Sequence, residues 1–421
     1  MKHPILIVAC TLAGSALALS GRAQDPPGSA VQAQAVSARS PSSSSLARAI
    51  EAAWQRAVAA RETSGQRRVA EAQHAAASGL WAAPPSVDVS HRTDRWQDNA
   101  GRRESEIALT WPLLLPGQRS ARGAAAEAGI ALAESSEAAA RLRVAGEVRE
   151  AAWSLVAHRR ELDQADAAVD SLRRLAEDVE LRVQAGDLAR ADALAARSEL
   201  LGAAAQQAEV RQRQVVAESR WLALTGTGPL ADPEEPSPAA GASAPATHPE
   251  LLAAMRATED ARRRVALVRA SRLEPPELSL GYRQDEPGRG LPSQGSITVG
   301  LRLPLGPDDR NRPLQAAALA ELDVARTREE RLRERLSADI LSARSALDTA
   351  ERQARLAGER AAMLRERANL IDKSFRAGES ALPDLLRALA AAAHAESALA
   401  RQTAALGLAR ARLNQTLGIL P

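Results

Sequence analysis

The chain has 421 residues, with 55 Lys and Arg against 52 Asp and Glu, one Phe, one Tyr and one Cys. Near-balanced charge excludes a global attraction to nucleic acid, and a lone Cys10 excludes a disulfide framework or a thiolate metal site. So few rings among so many alanines suit long packed helices better than a thick globular core.

The N-terminus reads as a secretory leader over 1–23. Lys2 and His3 precede an apolar run from Ile5 to Leu19, and Gly21-Arg22-Ala23 offers small residues for cleavage before Gln24. Ala16-Leu17-Ala18 is a second cut. The run is shorter than the roughly 20 residues of a membrane helix. Ile7-Val8-Ala9-Cys10 has the look of a lipobox, but most of the apolar stretch follows Cys10, which argues against lipidation. Cys10 therefore leaves with the leader. Residues 24–45, rich in Ser and Pro, read as a flexible segment.

A first repeat is expected over 46–227. After helical residues 46–80, Val87, Val89 and His91 alternate along one strand, near 86–92. Ile107, Leu109 and Trp111 alternate with Glu106, Ala108 and Thr110 along a second, near 104–114. Period-two alternation marks a strand with one apolar and one polar side. A helical hairpin over 117–224 follows. Its first arm, 117–185, lacks proline and spans about 100 Å at 1.5 Å per residue. Val148, Leu155, Leu162, Val169, Ala176 and Val183 form a period-seven row along it, the signature of helix-on-helix packing. Gly186 ends this arm in a left-handed cap, with Asp187 as the expected cap of the shorter returning arm.

A Pro/Ala-rich linker over 228–249 leads to a second repeat at 250–421. Ala83-Pro84-Pro85 through Arg92 recurs as Glu274-Pro275-Pro276 through Arg283, offset by 191. From residue 104 the offset is 192 without a gap, so that Trp111-Pro112-Leu113 matches Leu303-Pro304-Leu305 and Ala185-Gly186 matches Ala377-Gly378. Strands are expected near 277–283 and 296–304, and a hairpin over 309–418. The second alternation is cleaner, with Leu278, Leu280 and Tyr282 on one face, then Ile297, Val299, Leu301 and Leu303. Ser380 is the expected cap of the second returning arm, with Pro383 in its first turn. Helical residues 46–80 and 249–272 have the length to stack end to end with the short returning arms. The fold class is thus mainly α with a small β part, a duplicated strand–strand–long-hairpin unit.

These features together resemble the TolC-like outer-membrane efflux protein family across nearly the whole chain. The prolines before each first strand carry the likeness, as do Leu115-Pro116-Gly117-Gln118-Arg119-Ser120-Ala121-Arg122 and the paired tips, each followed by Asp192-Ala193-Leu194 or Asp384-Leu385-Leu386. The Leu115–Arg122 segment looks like the heavy-metal, cobalt-zinc-cadmium branch. The resemblance implies a homotrimer in the outer membrane, with four strands per protomer closing a twelve-stranded barrel over a helical tube in the periplasm. It implies a passive duct, docked by a periplasmic adaptor coupled to an inner-membrane pump, with heavy-metal cations as cargo and no cofactor.

The docking tips it implies are Arg182, Val183, Ala185, Gly186, Asp187 and Leu188 in the first repeat, and Phe375, Arg376, Ala377, Gly378, Glu379 and Ser380 in the second. Asp192 and Asp384 would line the periplasmic aperture, with Arg387 where the family has a second acid, a ring less anionic or internally paired. Other readings compete. A periplasmic adaptor would carry one hairpin between two β-rich halves, whereas two occur in tandem here. A coiled-coil scaffold explains the helices but not four apolar-faced strands. No nucleophile elbow, phosphate loop or paired-carboxylate pattern indicates an enzyme. His158 reads as a packing residue, and His74, His91, His248 and His394 lack metal-ligand spacing.

Overall fold

A computed structural model describes residues 45–228, 233–236, 247–305 and 311–421. The leader expected at 1–23, nearly all of 24–45 and most of the linker lie outside the described residues. In chain order the elements are α1 (Ser45–Arg56), α2 (Val58–Ala77), β1 (Ser86–Thr93), β2 (Arg103–Pro112), α3 (Gln118–Ala185), α4 (Arg190–Thr225), α5 (Pro249–Ala270), β3 (Glu277–Glu286), β4 (Gln294–Arg302), α6 (Arg312–Arg376) and α7 (Leu382–Thr416). The helix–strand–strand–hairpin order occurs twice.

The strands form one antiparallel sheet in the order β1-β2-β3-β4. Its register sets Val89, Ile107, Tyr282 and Ile297 in one row across all four strands, and Val87, Leu109, Leu280 and Val299 in the next. A third row joins Trp111, Leu278 and Leu301. Since side chains alternate across a sheet, these rows share one face.

α3, of 68 residues, and α6, of 65, are rods of about 100 Å. Their returning arms α4 and α7 are only 36 and 35 residues. The shortfall is made up from elsewhere in the chain. Where α4 ends, Arg56 Nη2 donates to Ala223 O at 3.4 Å, and α2 runs on beside α3. Where α7 ends, His248 and Pro249 at the start of α5 lie against Gly418, and α5 runs on beside α6. α3 packs against α2, α4, α5 and α7 as well as α1, whereas α6 meets only α5 and α7 among the described residues. The core is accordingly thin and alanine-rich, and it centres on α3 where Val144, Val148, Ala151 and Leu155 meet Leu46, Ile50, Trp54 and Trp221.

Candidate functional site

The sheet has one apolar face, and no other element among the described residues covers it. Val89, Ile297 and Val299 are each more than 70% exposed, and Ile107, Leu280, Tyr282 and Leu301 are about half exposed. Exposing a contiguous patch of this size to water is unfavourable, by roughly 1.5–3 kcal/mol for each large aliphatic side chain. The opposite face carries Asp88, Ser90, Glu106, Thr110, Ser279, Ser296 and Thr298, together with the Arg283–Glu104 ion pair at 2.6 Å. β1 and β4 are open edges with unpaired backbone groups, and they run antiparallel to each other. No helix among the described residues is long and apolar enough to cross a membrane. The apolar rows of the sheet, by their own exposure, form a surface of the chemistry that lipid covers.

The far ends of the rods carry the tips, and the same turn closes both. Gly186 has φ +88° and Gly378 φ +79°, the left-handed region that glycine enters without strain. In each turn the next residue's amide reaches back five positions, Asp187 N–H to Arg182 O and Glu379 N–H to Ser374 O, both at 2.9 Å. This Schellman pattern satisfies carbonyls that the helix end leaves open. The expected caps fall elsewhere. α4 starts at Arg190 and α7 at Leu382, so Asp187 and Ser380 sit too early to cap them. Asp187 lends its amide to the turn, while the Ser380 hydroxyl donates to Ile371 O at 3.4 Å. It is Asp192 that closes the first turn of α4, where its carboxylate accepts the Ala189 N–H at 3.2 Å.

The structure brings the two tips together. Leu175, Val179, Ala196, Leu382 and Leu385 enclose Phe375, which is 3% exposed, and partly buried Val183 and Leu188 pack on this cluster. The Arg182 guanidinium lies 5.0 Å from the Phe375 ring centre, a cation–π contact, and pairs with Asp178 at 3.1 Å. Ala185, Gly186, Asp187, Arg376, Ala377, Gly378 and Glu379 are exposed at the turns. Phe375 thus holds the tips in place rather than presenting a surface. Asp192 and Asp384, though equivalent in the repeat, have different partners. Asp384 pairs with Arg387 at 2.6 Å, and Arg387 also donates to Pro383 O at 3.2 Å.

One cluster escaped the sequence reading. Arg149 of α3 is 1% exposed, and its guanidinium donates to both carboxylate oxygens of Glu235, at 3.0 and 3.3 Å. It also reaches Gln415 Oε1 and Ile419 O, both at 2.8 Å. Asn414 Nδ2 donates to Glu235 and to Pro236 O. Part of the inter-repeat segment is thereby strapped to both halves. No local pattern signals it, because Arg149 and Glu235 lie 86 residues apart. No group of three or more His, Cys, Asp or Glu gathers as a metal site among the described residues.

A family model described as outer membrane efflux protein matches residues 29–227 and 242–419. The cobalt-zinc-cadmium resistance protein CzcC of Cupriavidus metallidurans is 30% identical over 247 residues. That match covers 56% of this chain and 57% of CzcC, so the chain spans little more than half the length of this relative. The outer membrane protein VceC of Vibrio cholerae shares the fold with a TM-score of 0.72 at 16% identity, over 89% of this chain and 96% of VceC. The outer membrane channel CmeC of Campylobacter jejuni does so with a TM-score of 0.71 at 16% identity, over 89% and 85%.

Proposed function

Given that the chain belongs to the outer membrane efflux protein family, we propose that it is the outer-membrane channel subunit of a tripartite efflux pump, a passive exit duct with no catalytic centre. The observation that carries this reading is the sheet: one face apolar and bare, one face polar, both edges open, set at one end of rods about 100 Å long. Because β1 and β4 are antiparallel, copies can join edge to edge in an unbroken up-and-down barrel, with apolar rows toward lipid and charged rows toward a lumen. Three copies supply twelve strands, and their rods continue the barrel as a tube through the periplasm.

In this reading the Gly186 and Gly378 turns, with the exposed backbone of Ala185, Asp187, Ala377 and Glu379, receive the hairpins of a periplasmic adaptor coupled to an inner-membrane pump. Asp192, Asp384 and Arg387 line the aperture inside the tips. With Asp384 neutralised by Arg387 and Asp192 engaged by backbone, the ring they form is only mildly anionic. Divalent heavy-metal cations are the proposed cargo, supported by the likeness to CzcC. Membrane fractionation, followed by metal tolerance of a deletion strain, tests the proposal. A urea-resistant, heat-modifiable product in the outer membrane, with sensitivity to zinc, cobalt or cadmium on deletion, is expected. A soluble periplasmic product would contradict the channel.

A further inference from the structure

The apolar rows of the sheet are short for a membrane. The rows through Val89, Val87 and Trp111 follow one another at two-residue steps along the strands, about 14 Å in all. The lipid-facing band of a membrane barrel is about 25 Å tall. Toward the loops, the next row on this face is His91, Ser105 and Gln284, which is polar. Toward the rods the apolar surface continues. Leu80 and Trp81 precede β1, Leu303 and Leu305 follow β4, and Leu314 lies in the first turn of α6, all of them exposed. The band thus reaches past the sheet to its junction with the rods.

That junction is a basic collar. Arg119 and Arg122, in the first turns of α3, donate to Ser78 O at 3.4 Å and to Ala82 O at 3.2 Å. They pin the segment that presents Leu80 and Trp81, and neither pairs with a carboxylate among the described residues. Arg269 at the end of α5 and Arg272 just beyond it are exposed, again with no carboxylate partner among the described residues. Arg264 pairs with Asp260 at 2.8 Å and Arg302 with Glu277 at 3.3 Å, so these two add no net charge. At the other end of the sheet the signs are mixed, with Asp94 and Asp98 in one loop with Arg95 and Arg102. A cavity of about 770 Å³ lies at the level of the collar, between the last turns of α2 and α5 and the first turns of α3. Arg122, Arg264, Leu80 and Trp81 line it, together with Ala76 and Ala125. Cation, indole and aliphatic wall are thus gathered in one space.

We infer that this collar binds anionic phospholipid of the leaflet facing the periplasm, with the cavity as the headgroup site. Arg122 meets the phosphate inside the cavity, and Arg119 attracts it from the adjoining turn. A guanidinium suits this task because its planar fork donates two parallel hydrogen bonds to phosphate. Trp81 sits at the boundary between headgroup and acyl chain, where indole rings are favoured. The inference rests on the channel reading, and adds to it a lipid class and a site on one leaflet.

Native mass spectrometry of the detergent-purified assembly, titrated with phosphatidylglycerol or with phosphatidylcholine of the same chains, tests this. The wild type should retain phosphatidylglycerol in preference to phosphatidylcholine. Arg119→Gln with Arg122→Gln should weaken phosphatidylglycerol binding roughly 30-fold, the loss of two arginines near an anionic lipid. Arg122→Lys, which keeps the charge, should retain binding where Arg122→Gln loses it. Arg95→Gln with Arg102→Gln, at the other end of the sheet, should leave binding unchanged. Ala76→Trp, which fills the cavity without changing charge, should weaken it. An assembly that binds both lipids equally, or that binds phosphatidylglycerol normally without Arg119 and Arg122, would overturn the collar alone. Normal binding by Ala76→Trp would overturn the cavity as the headgroup site, and competition by inorganic phosphate would overturn the lipid assignment. A single chain that stays soluble, with no lipid or detergent bound, would overturn the channel reading itself.

Discussion

α3 and α6 are copies of one element, with matched lengths and matched terminal turns, yet one is the centre of the molecule and the other lies at its margin. Along α3, Val144, Val148, Ala151, Leu155 and Val179 are buried. α6 leaves Leu341, Leu356, Met363 and Leu370 in the open. Duplication set the backbone, and substitution then fitted each copy to its neighbours. Where α3 is strapped by a buried arginine, α6 carries a leucine.

Breaking the strap should have the largest effect. Arg149→Leu installs the residue that α6 carries at the equivalent position, but it strands the Glu235 carboxylate, whose side chain is 3% exposed. Removing one partner of a buried pair typically costs about 3–5 kcal/mol. Guanidinium unfolding should show that loss, and Arg149→Leu with Glu235→Leu should recover most of it. Next comes the Trp153–Gly407 contact. A Cβ at Gly407 would fall 2.0 Å from the indole ring, so Gly407→Val should destabilise by about 1–3 kcal/mol through overpacking. Its counterpart Val215 is exposed within the chain, and Val215→Ala should leave single-chain stability within about 0.5 kcal/mol.

At the tips the two repeats agree, with glycine at positive φ in both turns. Gly186→Ala and Gly378→Ala should each cost about 1–2 kcal/mol, the strain of a Cβ at positive φ. Unequal costs would show that the two turns are not equivalent. The smallest expected effect distinguishes the helix junctions. His248 Nδ1 accepts the Glu250 N–H at 3.2 Å, which requires a neutral ring. Burial lowers the His248 pKa below its ordinary 6.5 and outweighs the opposing charge of Glu250. A depressed folded pKa means that this contribution is complete above about 6.5 and is lost as pH falls through the lower folded value. The protection factor of the Glu250 amide, with the intrinsic pH dependence of exchange divided out, should therefore fall on acidification, whereas protection at the Arg56 junction should not change.

Much of this was legible in the sequence, for physical reasons. A strand's period of two and a heptad's period of seven are local signals, so Leu278-Ser279-Leu280 and the Val148–Val183 row announced their elements. Gly186 and Gly378 announced the turns because few other residues enter that conformation cheaply. Capping was misjudged, by two residues at Asp187 and by one at Ser380, since the Schellman turns that end α3 and α6 delay the next helix to Arg190 and Leu382. The Arg149–Glu235 strap was illegible for a different reason. An arginine among solvated charges and a glutamate in a Pro/Ala-rich segment become partners only when α3, α7 and that segment converge.

The central claim is that the apolar face of the sheet meets lipid while its other face lines a lumen. A fluorophore attached at Val299→Cys, and in a second protein at its neighbour Thr298→Cys, each reconstituted in vesicles containing spin-labelled lipid, tests it directly. Strong quenching at 299 with little at 298 is the predicted result. Equal quenching at both positions, or stronger quenching at 298, would contradict it.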